Sequence, residues 1–511
     1  MASNTLLPAL IQQMMQPEFY PHPVKEPIEL IQTHVSYVLL AGDYAYKLKK
    51  PVNFGFLNYS TLELRQHFCE EELRLNQRGA GEIYLEVLPI TQEDQYHLAG
   101  TGEPVEYVLK MRQFPQEALF LSMFERGELD EAYMEELGRI VAQYHAQAAT
   151  NDYIRKFGEV EQVRQSIDEN YDQTMKYIGD PQTQSQFEET KKYTDNFFAQ
   201  RQQLFTSRIE NDWIRECHGD LHLRNICLWH DKILLFDCIE FNEPFRFVDV
   251  MFDIAYAVME LEMLQRPDLG NAYLNTYIEQ TGDWEGLQVL PLYLSRQSYV
   301  RAKVNSFLLD DPGVPEAVKQ EAAKTAAAYY KLAWEYTKPR QGKLLLMSGL
   351  SGSGKSTVAR QLARKIGAIH VRSDAVRKHL AGIPLLERGG DEIYTAEMTQ
   401  KTYARLLDLS LMLASQGYTV ILDAKYDRTS LRHEAIAAAQ SQQLPLEIIH
   451  CTAPMEVLRD RLSSRTGDIA DATVELLEAQ QAAFEPFTTE EQGLVQEVNT
   501  TQELESQLML E

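Results

Sequence analysis

The stretch His218–Asp237, HGDLHLRNICLWHDKILLFD, contains polar residues whose types and spacing suit phosphoryl transfer. Asp220 is followed by Asn225 and then, after two short apolar runs, by Asp237. Phosphoryl transfer needs a carboxylate that orients the attacking hydroxyl and oxygen ligands for a hard cation such as Mg²⁺. We therefore expect Asp220 to lie beside the acceptor hydroxyl, and Asn225 and Asp237 to bind the metal ion.

The same stretch and the residues beside it contain three of the five cysteines, which raises the alternative of a zinc site. A structural zinc site needs paired ligands such as C-x2-4-C or H-x3-5-H. His218 and His222 satisfy the histidine half, but Cys217, Cys227 and Cys238 lie too far apart for the other half. The remaining alternative is a polar hairpin loop without chemistry.

A second group of residues forms the glycine-rich run GLSGSGKS at 349–356, between an apolar strand pattern and an amphipathic helix pattern. Its glycines let backbone N–H groups turn inward around phosphates, while Lys355 reaches the terminal phosphates and Ser356 suits Mg²⁺. A flexible Gly/Ser linker would explain neither Lys355 nor the flanking strand. The expected ATP-binding residues are Gly349, Gly352, Gly354, Lys355, Ser356 and Thr357.

Two carboxylates and a basic cluster follow this run. Asp423 ends the strand pattern TVILD, where a carboxylate can hold Mg²⁺, although a solvent-facing strand end is the alternative. Asp374 follows another strand and is a candidate for accepting the proton of an attacking hydroxyl; capping a helix is its alternative or additional role. Arg459, Arg461 and Arg465 are spaced to form a cationic lid over the phosphate, or a solvated helix face.

The elements that position these residues divide the chain into two parts. Residues 27–113 predict a hairpin turning near Gly42, then a helix capped by Ser60 or Thr61 and ending at Gly79, then two strands. Helical patterns dominate 116–210 and 248–337, and a hairpin turning at 230–232 delivers Asp237. After the linker TKPRQGK, strands alternate with helices, which predicts a parallel sheet covered on both faces.

Bulk properties exclude several classes of protein. A chain of 511 residues is too long for one ordinary core, and its formal net charge of −26 disfavours extended nucleic acid as a partner. No apolar run approaches the roughly 20 residues of a membrane helix. The amino-terminal pattern is not typical of a signal peptide, and an odd number of cysteines favours reduced thiols, so we expect a cytoplasmic location without a membrane partner.

Residues 343–487 resemble the small P-loop kinases, which include gluconate kinases, polynucleotide 5′-kinases and zeta-type toxins. The resemblance is carried by the glycine-rich run, Asp374 and the arginine cluster. It implies that the glycine-rich loop binds ATP, that Asp374 activates the acceptor hydroxyl, and that Arg461 and Arg465 are lid arginines that aid transfer.

Residues 27–335 resemble the aminoglycoside phosphotransferase and choline kinase group, through HGDLHxxN and LLFDCIEF. The resemblance implies that Asp220 is the catalytic base, that Asn225 and Asp237 bind Mg²⁺, and that Asp249 supports the loop. It also implies a phosphate-holding lysine on the strand YAYKLKK. Lys47 and Lys49 share one face of that strand, the group's pattern favours Lys47, and a basic surface strand is the alternative.

The helix partner of that lysine is expected among Glu70, Glu71 and Glu72. Position 219 is glycine where regulated protein kinases carry arginine, and Cys238-Ile239 replaces Phe-Gly after Asp237. These departures disfavour a phosphorylation-gated loop and favour a small-molecule kinase.

The whole chain resembles bacterial proteins that fuse an aminoglycoside phosphotransferase-like domain to a P-loop kinase domain. We expect an α+β protein-kinase-like domain over 1–337 and an α/β P-loop kinase domain with a parallel sheet over 338–511. The expected function is a bifunctional kinase that uses ATP and Mg²⁺ and acts on small-molecule hydroxyl acceptors. The alternatives are a polynucleotide 5′-hydroxyl kinase in the second domain, or a regulatory protein that senses nucleotide.

Overall fold

The structure is a computed structural model that describes residues 7–24, 27–464, 467–504 and 507. The described residues form two compact units, each assembled from several stretches of the chain. The first unit takes its residues from 1–129, 143–168 and 201–257, and the second from 130–142, 169–200 and 258–511. Helices that follow residue 258 thus belong to the same unit as the residues after 338, where a domain boundary remains a prediction.

The first unit contains a six-stranded antiparallel sheet with the strand order β1-β2-β3-β6-β4-β5. Hydrophobic residues at alternating positions of the central strands pack into a core with the amino-terminal helix. The predicted hairpin near Gly42 is confirmed, and this glycine has a φ of +67°. The strands are β1 (Glu29–Gln32), β2 (Ser36–Ala41), β3 (Tyr44–Lys49), β4 (Tyr84–Gln92), β5 (Tyr96–Leu98) and β6 (Pro104–Arg112).

Two helices accompany this sheet, α1 (Ala9–Met14) and α2 (Leu62–Ala80). Helix α2 begins after Thr61, whose hydroxyl accepts a hydrogen bond of 3.3 Å from the backbone N–H of Leu64. The prediction that α2 ends at Gly79 is wrong, because that residue lies inside its last turn. A Cβ at Gly79 would lie 2.6 Å from the carbonyl oxygen of Leu235, so close backbone approach is what requires glycine here.

Four short strands form two small antiparallel sheets in the first unit. The predicted hairpin after Asn225 is confirmed, and its turn residues His230 and Asp231 have φ values of +50° and +59°, as a two-residue hairpin loop requires. The four strands are β7 (Ile214–Glu216), β8 (Ile226–Trp229), β9 (Lys232–Leu235) and β10 (Phe247–Asp249).

The residues between the first sheet and residue 338 are mostly helical, as predicted. Residues 250–261, which form most of one helix, are all buried, which explains a sequence that is apolar on almost every side. These helices are α3 (Phe120–Glu125), α4 (Glu131–Gln147), α5 (Asp152–Arg155), α6 (Val160–Thr174), α7 (Gln184–Gln200), α8 (Gln202–Glu210), α9 (Glu243–Arg246), α10 (Val250–Met263), α11 (Pro267–Thr281), α12 (Leu290–Asp310) and α13 (Glu316–Glu335).

The second unit contains a five-stranded parallel sheet with the order β12-β13-β11-β14-β15. Its central strands are continuously apolar because helices cover both faces. The strands are β11 (Lys343–Ser348), β12 (Ile369–Arg372), β13 (Thr419–Asp423), β14 (Leu446–Thr452) and β15 (Val495–Asn499). The helices are α14 (Lys355–Ile366), α15 (Ser373–Ala381), α16 (Ala396–Ser415), α17 (Thr429–Ser441), α18 (Met455–Ser464) and α19 (Leu477–Ala483).

The predicted secondary-structure classes are confirmed: an α+β arrangement with an antiparallel sheet comes first, and an α/β arrangement with a parallel sheet follows. Sequence patterns missed five strands that are short or lie at sheet edges: β1, β5, β7, β10 and β15. No helix in the described part of the chain combines the length and the apolar composition that a membrane span requires.

We predict that Gly79→Ala destabilises the protein although alanine favours helices by about 1 kcal/mol over glycine. The added methyl group would overlap the backbone of Leu235, and such overpacking costs roughly 1–3 kcal/mol. Urea denaturation would measure the free energy of unfolding. Gln77→Ala, at an exposed position of the same helix, is the control and should change that free energy by less than about 0.5 kcal/mol. A Gly79→Ala protein as stable as the control would contradict this explanation.

Candidate active sites

Lys47 on β3 contacts two carboxylates of the first unit. Its Nζ donates hydrogen bonds to Glu72 Oε1 at 2.6 Å and to Asp237 Oδ1 at 3.1 Å. Lys49, on the same face of the strand, donates to the second oxygen of Glu72, also at 2.6 Å. Of the three consecutive glutamates in α2, Glu72 is therefore the one that meets the lysines. The side chain of Lys47 is 19% exposed and that of Lys49 only 1%, so Lys47 is the lysine that an incoming phosphate can reach.

The charges of this group stabilise one another. Burial alone would lower the pKa of Lys47, but the carboxylates of Asp237 and Glu72 outweigh it and raise that pKa well above its ordinary value. Burial alone would raise the pKa of Glu72, but Lys47 and Lys49 lower it to about 2. The lysines and Glu72 are therefore all charged at neutral pH.

Lys49 also binds Glu240, three residues beyond Asp237, and Tyr59 donates a 2.5 Å hydrogen bond to the same carboxylate oxygen. Lys49 and Glu240 are both buried. Sequence reasoning assigned no role to Glu240. The sequence did carry a signal, because this acidic residue stands inside the otherwise apolar run after Asp237. A buried carboxylate needs a cationic partner, so such a residue predicts an ion pair.

The loop that carries Asp220 is held by Asp253 of α10. The two oxygens of this carboxylate accept hydrogen bonds from the backbone N–H groups of His218 at 2.7 Å and Gly219 at 2.8 Å. His145 Nε2 lies 3.1 Å from the first of these oxygens. Asp249, which was expected to support the loop, instead pairs with Arg208 through hydrogen bonds of 2.6 and 2.8 Å.

Gly219 has a φ of +86°, and a Cβ there would lie 2.6 Å from the carbonyl oxygen of Phe245. The loop could not carry a larger residue at this position without moving the backbone of Phe245. This close approach is the physical reason for glycine where regulated protein kinases carry arginine.

Hydrogen bonds bring Asp220, Asn225 and Asp237 into one region. Asn225 Nδ2 donates to the backbone oxygen of Asp220 at 3.0 Å, and the Asn225 carbonyl accepts from the N–H of Phe236 at 3.0 Å. His218 Nε2 lies 2.9 Å from the Phe236 carbonyl. The side chains of Asp220 and Asp237 are 36% and 50% exposed, so both are accessible.

His145, Cys217 and Asp253 offer three ligand atoms that lie within 4.8 Å of one another. Both Asp253 oxygens already accept hydrogen bonds from the loop, and the Cys217 thiol donates to the carbonyl of Val248 at 3.5 Å. Burial raises the pKa of the Cys217 thiol well above its ordinary value, which disfavours the thiolate that metals bind. The cluster therefore braces the loop.

The glycine-rich loop of the second unit has the backbone that phosphate binding requires. Gly349, Gly352 and Gly354 have φ values of +137°, +77° and +89°, and a Cβ at Gly349 would lie 2.4 Å from the carbonyl oxygen of Cys451. The hydroxyl of Ser353 is buried and has no hydrogen-bond partner within the described part of the chain. This loop fits a phosphate group, which would supply the missing acceptor.

Lys355, Ser356 and Thr357 begin α14 directly after this loop. The Lys355 ammonium donates to the carbonyl of Leu350 at 2.9 Å, and burial lowers its pKa. Ser356 is half-buried and Thr357 is exposed. Lys355, Ser356 and Thr357 thus lie at the amino terminus of a twelve-residue helix, where the helix dipole favours anions.

Asp423 ends β13 and is 4% exposed. Its Oδ2 lies 2.9 Å from His370 Nε2 and 4.0 Å from Arg372 Nε. Burial alone would raise the pKa of Asp423, but the hydrogen bond from His370 and the charges of Arg372 and Lys355 lower it below its ordinary value. Sequence reasoning missed His370, although its place on the neighbouring parallel strand was a usable signal.

Asp374 lies in the first turn of α15, and the N-cap position of this helix belongs to Arg372. Burial raises the pKa of Asp374, which brings it closer to that of a general base at neutral pH. A further carboxylate, Asp471, accepts hydrogen bonds from Tyr394 Oη at 2.7 Å and from the N–H of Gly389 at 3.0 Å. Asp471 thus fixes a loop that sequence reasoning did not single out.

Arg461, a predicted lid residue, lies against the glycine-rich loop. Its guanidinium donates to the carbonyl of Gly352 at 3.3 Å and to the hydroxyl and carbonyl oxygens of Thr500 at 2.8 and 2.9 Å. Arg459 pairs with Glu478 at 3.2 Å. Arg465, the other predicted lid arginine, lies outside the described residues.

Comparison with known proteins gives a family match for the second part of the chain. Residues 344–487 match the model of a family described as AAA domain, which confirms the P-loop domain predicted there. An adenylyl-sulfate kinase of Myxococcus xanthus is 31% identical over 127 residues, covering 23% of this chain and 61% of that kinase.

Other similarities extend over more of the chain. An uncharacterized protein of Mycobacterium tuberculosis is 31% identical over 473 residues, or 91% of this chain and 92% of that protein. The crystal structure of a choline/ethanolamine kinase family protein from Mesorhizobium loti aligns with a TM-score of 0.40 at 10% identity. That alignment covers 64% of this chain and 99% of the other.

We predict that Lys49→Met destabilises the protein by about 3 kcal/mol or more, because it leaves the buried Glu240 without its lysine partner and leaves Glu72 with Lys47 alone. Adding Glu240→Gln to Lys49→Met should recover part of the loss. Calorimetric Tm values would measure both effects. The control is Lys50→Met, since Lys50 donates to a carbonyl oxygen at an exposed position. Equal Tm losses for Lys49→Met and Lys50→Met would contradict a buried ion cluster.

Proposed function

This chain belongs to the same family as the uncharacterized mycobacterial protein, and we propose that it is a kinase that uses ATP at two separate sites to phosphorylate hydroxyl groups of small molecules. It joins a protein-kinase-like domain to a P-loop kinase domain. One observation carries the proposal: each unit has its own lysine of the phosphate-binding type next to carboxylates, Lys47 with Asp237 and Lys355 near Asp423.

In the first site, Lys47 would bind phosphate oxygens while Glu72 fixes its position. Asn225 and Asp237 would hold Mg²⁺, since amide and carboxylate oxygens suit this ion. The two residues flank the hairpin formed by β8 and β9, and Asn225 also bonds the backbone of Asp220. When bound, Mg²⁺·ATP supplies the phosphoryl group and its shielding charge. Asp220 would orient the acceptor hydroxyl and accept its proton.

In the second site, the backbone N–H groups around Gly349, Gly352 and Gly354 would hold the phosphates together with the exposed hydroxyl of Thr357. Ser356 and Asp423 would bind the metal ion, and Lys355 would bind the terminal phosphates. The buried hydroxyl of Ser353, which has no hydrogen-bond partner among the described residues, supports this use of the loop. Asp374 would accept the proton of the acceptor hydroxyl, and Arg461 would add positive charge beside the loop.

The five cysteines are all buried free thiols, which supports a reducing compartment such as the cytoplasm. The intact lysine and carboxylate sets in both units favour two enzymatic sites over a purely regulatory protein. Acceptors of small size fit the net charge of −26 better than a polynucleotide does.

We predict that Asp220→Asn and Lys355→Ala each abolish a different phosphorylated product. Loss of a general base lowers transfer by about 10²–10⁴-fold, and loss of the loop lysine removes a phosphate contact needed in the transition state. Wild type and both variants would be incubated with γ-labelled ATP and a pooled metabolite extract. Each variant serves as the control for the other site. If neither product depends on its own site, the two-site proposal fails, and ATP hydrolysis without a product would favour a regulatory role.

We also predict a pH dependence for the product that requires Lys355. A general base acts only when it is deprotonated, so activity is present above its pKa and is lost as the pH falls through it. Since burial raises the pKa of Asp374, the acidic limb of the kcat/KM profile should lie above the range of an exposed aspartate, which is about 4. Asp374→Asn should lower kcat by about 10²–10⁴-fold and remove that limb. A profile with an unchanged acidic limb in Asp374→Asn would rule Asp374 out as the base.

A further inference from the structure

Strand β12 lies at the edge of the parallel sheet and, among the strands of the described residues, pairs only with β13. An edge strand leaves the backbone N–H and C=O groups of its outer side without strand partners. At this edge the groups are not open to water, because Ala368 is 0% and His370 8% exposed. Buried backbone groups must find hydrogen-bond partners within the protein.

Two asparagines of α11 supply these partners within the second unit. Asn275 Oδ1 accepts from the backbone N–H of His370 at 2.8 Å, while Asn275 Nδ2 donates to the carbonyl of Ala368 at 3.0 Å. Asn271, one helical turn earlier, donates to the same carbonyl at 2.9 Å. One primary amide thus bonds the N–H and C=O that a further strand of the sheet would otherwise bond.

The residue fixed in this way contacts the proposed metal site. The backbone of His370 is bonded by Asn275, and its ring Nε2 lies 2.9 Å from Asp423 Oδ2. His370 and Asp423 are both less than a tenth exposed, so water competes little for the hydrogen bond between them. A shift of the β12 edge would therefore move the ring that orients the Asp423 carboxylate.

We propose that Asn275 is a positioning residue for the second kinase site, acting on the metal-binding carboxylate Asp423 through the backbone and ring of His370. This inference rests on the proposed function of that site. It makes α11, which lies within the predicted first domain of residues 1–337, a necessary part of the P-loop site. Residues that hold metal ligands in place orient those ligands, and their loss typically lowers metal affinity or activity by about 10–100-fold.

The test compares Asn275→Leu in the full-length chain with wild type. Hydrogen exchange of the peptide containing His370 should become faster, because its N–H loses the Asn275 acceptor. The Mg²⁺ concentration for half-maximal binding of a fluorescent ATP analogue to the Lys355-dependent site should rise about tenfold or more. The Asp220-dependent product should be unchanged.

Two controls separate positioning from general damage. Gln280→Leu makes the same kind of change on the same helix, at a residue without a hydrogen bond to β12 in the described part of the chain, and it should leave both readouts at wild-type values. Asn275→Asp retains the acceptor for the His370 N–H, so its amide exchange should be slower than that of Asn275→Leu.

Two results would overturn the positioning role: faster exchange with an unchanged Mg²⁺ requirement, or equal loss of the Asp220-dependent product. If wild type forms no Lys355-dependent product, the proposed kinase function of that site fails separately. The Mg²⁺ dependence of nucleotide binding would still decide the role of Asn275. Loss of wild-type nucleotide binding in Lys355→Ala shows that the signal comes from the glycine-rich loop.

Discussion

The first site depends on the pairing of one buried carboxylate, Glu72, with two lysines, because each of its two oxygens bonds a different lysine. One oxygen bonds Lys47, which also reaches Asp237, and the other bonds Lys49, which also reaches Glu240. A buried charge is stable only when it is paired, so the loss of Lys49 would leave the buried Glu240 without a cationic partner, and the loss of Glu72 would leave two lysines short of a counter-charge. The ion cluster therefore links α2, β3 and the segment after β9 without any phosphorylated residue.

The residues that replace Phe-Gly after Asp237 fit the same constraint. The N–H of Cys238 donates to Asn76 Oδ1 of α2 at 2.8 Å, and the N–H of Asp237 donates to Tyr84 Oη at 3.1 Å. These two bonds attach the segment after β9 to α2, which carries Glu72 of the ion cluster, and to β4. A loop held by side-chain acceptors on α2 and β4 has no need of an added phosphate to order it.

The second unit also contains a buried carboxylate that neighbouring side chains keep ionised, but those neighbours are of other types. Asp423 is buried like Glu72 and remains ionised because His370 and Arg372 lie beside it. Here the support comes from a parallel strand whose outer edge is bonded by α11. In both units the carboxylates proposed to act on nucleotide or metal are fixed by partners that belong to other parts of the chain.

The sequence by itself determined the features that depend on neighbouring residues. Three of these features are local patterns: the glycine-rich loop, the hairpin before Asp237, and the spacing of Asp220 and Asn225. The loop and the hairpin have the backbone conformations that the sequence predicts. The apolar runs likewise predicted the parallel sheet, because burial on both faces is visible in composition. Local hydrogen bonds and backbone conformations are set within a few residues, which is why these predictions succeeded.

Only the tertiary structure decided which of several equivalent residues finds a partner. It selected Glu72 from three consecutive glutamates, and Asp253 in place of Asp249 as the support of the loop. It also placed Gly79 inside α2 and bonded Asn275 to β12. These outcomes depend on contacts between residues tens to hundreds of positions apart, where side-chain direction and close packing decide the partner and no local pattern records the choice.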